Sequence, residues 1–111
     1  MISGRGWSNG SPSVSGAGYG IAISKEDRDR VFKRSQRSVV LALKEGPTVT
    51  VRLTDSFWQS CSEFRSREIG RWLLDMRLAP WPKGKPPVFR LEFGREGQLR
   101  VSPDRRYGPP I

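Results

Sequence analysis

The chain is 111 residues long, carries 20 Lys and Arg against 11 Asp and Glu for a formal charge of +9, and has one cysteine and no histidine. That length holds one small domain with a modest core and excludes a multidomain enzyme. Without histidine there is no imidazole base and no His-paired nucleophile, and the lone Cys61 can close no internal disulfide and belongs to no zinc-spaced cluster.

Residues 1–18 hold five Gly, five Ser and one Pro, a composition that buries too little apolar surface to offset ordering entropy, so a flexible leader is expected. Order is expected to begin at Tyr19, where Tyr19, Ile21 and Ile23 alternate with small residues in the period of a strand. Ser24 followed by Glu26 and Asp27 resembles a capping box and predicts a helix over 25–34 whose end is basic. Runs 38–43 and 48–53 are rich in β-branched residues and read as two strands joined by a hairpin at 44–47, with Gly46 expected to supply the special backbone angle. In the second run Val49, Val51 and Leu53 share one face and Thr48, Thr50 and Arg52 the other, which gives one buried and one wet side.

Thr54 or Asp55 is placed to cap a short turn containing Phe57 and Trp58. From Ser66 onward Ile69, Trp72, Leu73 and Met76 recur at i, i+3, i+4 and i+7, so an amphipathic helix is expected to run to about 77 or 78, where Pro80 ends it. The connection 79–86 sets Trp81, Lys83, Gly84 and Lys85 among prolines and reads as stiff and basic. Strands are expected at 88–93 and 98–101 around a turn at 94–97, followed by a flexible tail over 104–111. The fold class is therefore α+β, with a single domain over 19–103: a small, strongly bent sheet or open pseudobarrel of about five strands with two helices.

The order of elements and Trp58, Phe64, Trp72, Leu78, Gly84 and Phe89 resemble the B3-type DNA-binding pseudobarrel family, mainly over residues 58–89. The chain carries Lys85 where that family has an acidic residue. The resemblance implies two arms that enter the major groove, one near residues 33–37 and the other near 59–67, with bases read by polar and basic side chains.

The basic excess favours a polyanion, because each phosphate neutralised releases condensed counterions. Candidate contacts are Lys33, Arg34 and Arg37 at a helix end, and Gln59, Arg65, Arg67 and Arg71 around the start of the amphipathic helix. Lys83 and Lys85 in the stiff loop complete the basic set, and Trp81 either stacks on a base or folds over the core. The expected function is non-enzymatic nucleic-acid binding, DNA ahead of RNA, with no cofactor, no metal and no turnover. The alternatives are a protein-interaction module whose basic face and Pro/Trp loop dock an acidic partner, and a small RNA-targeting factor. The N-terminal stretch lacks a signal-like apolar run, no later run reaches membrane length, and no long basic amphipathic helix is present, so a soluble intracellular protein without a membrane partner is expected.

Overall fold

The computed structural model describes residues 2–11, 13–94 and 97–104. Ten elements follow in order: β1 (Ile2–Ser8), β2 (Tyr19–Ile23), α1 (Lys25–Val31), β3 (Ser38–Leu43), β4 (Thr48–Arg52), α2 (Asp55–Gln59), β5 (Glu63–Arg65), α3 (Arg67–Asp75), β6 (Val88–Phe93) and β7 (Leu99–Pro103). The seven strands form one mixed sheet in the order β4-β3-β7-β6-β1-β2-β5, bent into a nearly closed barrel. Among the described residues only the β3–β7 pair is parallel. The α+β class holds and the sheet is barrel-like, while the described residues form seven strands and three helices instead of about five and two.

The largest departure from expectation is β1, which lies inside the stretch taken for a flexible leader. It pairs antiparallel with β2 and β6 at once, so its backbone groups are satisfied by two neighbours. Its glycines suit the place: a Cβ on Gly4 would come within 2.8 Å of Ile21 Cγ2 and 3.0 Å of Leu91 Cδ1, so only a bare backbone lies this close to the core. The other added strand, β5, is three residues long and edges the sheet against β2.

Helix ends follow their caps. The Ser24 hydroxyl accepts from the Asp27 N–H at 3.1 Å, and Thr54 and Ser66 cap α2 and α3 in the same way. Helix α1 stops at Val31, before the expected 34, because Phe32 adopts an extended backbone and turns inward, 4% exposed, with its ring about 6 Å from those of Phe57, Phe64 and Phe93. Burying such a ring is worth roughly 1.5–3 kcal/mol, more than one further helical turn returns. Helix α3 ends at Asp75 in a Schellman cap: the Leu78 N–H donates to Leu73 O at 2.9 Å, the Arg77 N–H to Leu74 O at 3.1 Å, and Arg77 takes the left-handed conformation at φ 59°. In the β3–β4 hairpin the positive φ falls on Glu45, at 57°, and not on Gly46. Gly46 instead packs against the Trp72 indole, whose Nε1 donates to Lys44 O at 2.9 Å.

The sheet alternation matches the sequence, with Val49, Val51 and Leu53 buried and Thr48, Thr50 and Arg52 exposed. Trp58 and Trp72 are core residues, 8% and 3% exposed. The expected turn at 94–97 includes Arg95 and Glu96, and the expected tail includes residues 105–111, all outside the described residues. Among the described residues no helix is long and apolar enough to cross a membrane.

Candidate nucleic-acid interface

Strand register sorts the basic residues between the two ends of the barrel. The ends of β2 and β4 lead into α1 and α2, and the pairings Ser38↔Arg52, Leu41↔Leu99, Phe93↔Leu99, Ile2↔Leu91, Gly4↔Ile23 and Ala22↔Glu63 run around the sheet at that same end. The opposite end holds Trp7, Tyr19, Arg65 and Val88, and α3 leaves from it. Between the ends, β4 and β5 are the two free edges of the sheet and face each other across an open seam.

Lys33, Arg34 and Arg37, in the joint between α1 and β3, are exposed at the α1/α2 end. Gln59, the last residue of α2, is exposed at that end as well. Two contacts tie this joint to α2 and β4. The Leu53 N–H donates to Arg37 O at 2.8 Å, and the Arg34 guanidinium stands 5.7 Å from the centre of the Trp58 ring. Arg28 approaches the same ring at 5.7 Å, but it is 4% exposed, donates to Phe57 O at 3.1 Å and pairs with Asp29 at 2.9 Å, so it braces the helices and does not face solvent. The Asp29 carboxyl is held below its ordinary value of 3.8, first by the hydrogen bond from Arg28 and further by the charges of Arg28 and Arg34. Trp58 Nε1 is buried and has no hydrogen-bond partner among the described residues.

Arg52 joins this group. It closes β4 opposite Ser38, one residue from Arg37, and is exposed on the outer face of the sheet. Its signal in the sequence was the wet side of the Val49–Leu53 alternation, which marks exposure but says nothing of what lies beside it. The seam next to it is a cleft of about 390 Å³ lined by Thr50, Arg52, Thr54, Phe57, Glu63 and Arg65, among others. Arg52 and Arg65 stand on its opposite lips.

Arg65 lies in the seam toward the other end. Its side chain crosses Gly20 and sets its guanidinium 5.0 Å from the Trp7 ring centre. Arg67, Arg71, Lys83 and Lys85 belong to the α3 end. Arg67 is exposed in the first turn of α3, while Arg71 is engaged by Asp75 at 3.3 Å and by Val14 O at 3.3 Å. Trp81 packs 5.4 Å from Tyr19 and against Gly6, over the core, and Lys83 and Lys85 project from a turn closed by the Lys85 N–H on Pro82 O at 2.9 Å. The ten residues singled out in the sequence thus form two groups: Lys33, Arg34, Arg37 and Gln59 at the α1/α2 end, and Arg65, Arg67, Arg71, Trp81, Lys83 and Lys85 toward the α3 end.

Chemically the α1–β3 joint and the end of β4 offer four exposed cations, Lys33, Arg34, Arg37 and Arg52, and the Gln59 amide closes α2 at the same end. Guanidinium forks take phosphate oxygens or a guanine edge, and an amide takes an adenine edge. Among the described residues no group of three or more His, Cys, Asp or Glu is arranged to hold a metal ion. The chain matches no protein-family model, and no curated protein or solved structure matches it.

Proposed function

We propose that this protein binds nucleic acid, duplex DNA foremost, through the α1/α2 end of its barrel, and performs no turnover. The observation that carries the proposal is the convergence there of Lys33, Arg34, Arg37, Arg52 and Gln59 from three separate segments of a chain with a charge of +9. In this reading the α1–β3 joint and the segment after α2 serve as the two arms that the B3-type resemblance implies. The guanidiniums of Arg34, Arg37 and Arg52 hold phosphates, and Gln59 faces base edges. Arg65, Arg67, Lys83 and Lys85 add long-range attraction from the α3 end. Docking of an acidic protein through an exposed Trp81 has less support, because that ring packs on Tyr19.

Gel-shift titrations of duplex DNA, single-stranded DNA and RNA over a salt series test the proposal. The expected result is tightest binding to duplex, a steep fall with salt, and a loss of about tenfold or more for Arg34→Glu/Arg37→Glu against a small loss for Arg67→Glu/Lys85→Glu. Failure to retain duplex at low salt, or equal losses for the two pairs, would refute it.

A further inference from the structure

A second basic surface lies on the outer face of the sheet, on the strands farthest from the seam. With β4 and β5 as the edges, β6 is the central strand and β7 and β1 its neighbours. On their outer side Arg100 sits between Ala42 and Glu92 in one cross-strand row, and Arg90 sits between Ser102 and Ser3 in the next. The small side chains beside each arginine leave a hollow of about 500 Å³, lined by Ala42, Lys44, Arg90, Glu92, Arg100 and Ser102. Among the described residues that line it, Lys44, Arg90 and Arg100 accompany one carboxylate, Glu92.

The hollow is built and not merely charged. Glu92 pairs with Arg90 at 3.0 Å and lies 4.0 Å from Arg100, and the two arginine side chains remain 51% and 66% exposed. Lys44 also lines the hollow, and its backbone is pinned from both sides, its N–H donating to Val101 O at 2.9 Å and its carbonyl accepting from Trp72 Nε1 at 2.9 Å. Arg5, exposed on β1 opposite Val88, continues the basic face past Arg90. Within the paired strands the backbone N–H groups are directed into the ladder, so the donors in the hollow come from side chains spread over three strands. A small free anion is best held by converging N–H groups. Side-chain cations spread across an open sheet suit the extended phosphodiester backbone of a polymer.

Resting on the nucleic-acid proposal above, we propose that this outer face is a second phosphodiester site, which takes a second DNA duplex while the α1/α2 end holds the first. One chain then bridges two duplexes. The first surface is centred on the α1–β3 joint and on Arg52 beside the seam, the second on the strands farthest from the seam, and the proposal assigns each its own duplex.

The test is a bridging assay. An unlabelled duplex is fixed to beads, the full chain is added at less than one molecule per duplex, and capture of a second, fluorescent duplex is measured; gel shifts of a single duplex are run in parallel. The wild-type chain is expected to capture the second duplex. Lys44→Glu/Arg100→Glu is expected to shift a single duplex within about twofold of wild type yet lose about tenfold or more in capture, since two phosphate contacts are removed from the second site alone. The neutral pair Lys44→Gln/Arg100→Gln should fall between them, and matching thermal melts establish that the variants fold. A wild-type chain that shifts one duplex but captures no second overturns the bridging site and leaves the first site standing. Capture by Lys44→Glu/Arg100→Glu equal to wild type also overturns it, and points to self-association as the bridge. A chain that shifts no duplex at all overturns both proposals.

Discussion

The guanidinium of Arg65 rests 5.0 Å from the centre of the Trp7 indole, reached across Gly20 on the strand between them. Gly20 pairs with Trp7 on one side and Arg65 on the other, and its missing side chain is the gap through which the two meet. A Cβ at Gly20 would come within 2.6 Å of Phe64 O and 3.2 Å of Arg65 Cγ. The contact therefore ties β1 to the seam edge β5 across a strand that neither belongs to.

Trp7→Ala should lower stability by about 1.5–2 kcal/mol, about half from the cation–π contact and half from the lost cover of a half-buried ring. Gly20→Ala should cost about 1–3 kcal/mol, because the neighbour that must move is backbone. Urea unfolding of both variants measures this. An unchanged midpoint for Trp7→Ala would mean that β1 is not a member of the sheet.

Gly70, within α3, packs against the backbone of Gly16, and a Cβ there would collide with the Gly16 carbonyl. Helix propensity alone gives alanine an advantage of about 1 kcal/mol over glycine in a helix interior. Here the collision should outweigh it, so that Gly70→Ala is destabilising by about 1–2 kcal/mol net. Because the two effects have opposite signs, the direction of the melting shift alone decides whether the 13–18 loop sits on α3.

Arg77→Gly should act the other way. Arg77 occupies the left-handed position of the Schellman cap at φ 59°, where a Cβ is disfavoured and glycine is not. A gain of about 0.5–1 kcal/mol is expected in thermal or urea unfolding. A loss would show that the Arg77 side chain contributes more than its backbone strain costs.

Asp29 sets a pH dependence. Its folded value lies below its ordinary 3.8, so the stability it adds is complete above that ordinary value and disappears as the pH falls through the lowered one. Asp29→Asn should therefore be less stable than wild type by a constant margin above about pH 5, and the margin should close under acidic conditions as the wild-type carboxyl protonates. Unfolding curves from neutral pH down to the acid limit of the fold provide the check. A margin that widened on acidification would contradict the Arg28–Asp29 pair.

Much of this protein was legible without coordinates wherever the information is local. The alternation of Val49, Val51 and Leu53, the caps at Ser24 and Ser66, and the i, i+3, i+4, i+7 face of Ile69, Trp72, Leu73 and Met76 each lie within a few residues and report directly on which side is buried. What the sequence by itself determined is therefore the α+β class, the wet and dry faces and the basic character of the surface. The tertiary structure alone decided the rest. It made a strand of a Gly/Ser stretch, because two neighbouring strands supply the hydrogen bonds and the tight core admits only small residues at Gly4. It also parted the arginines and lysines between the two ends, the seam and the outer wall. Charge adds up over space and not along the chain, so only the register of the strands could set Arg52 beside Arg37 and Arg100 beside Glu92.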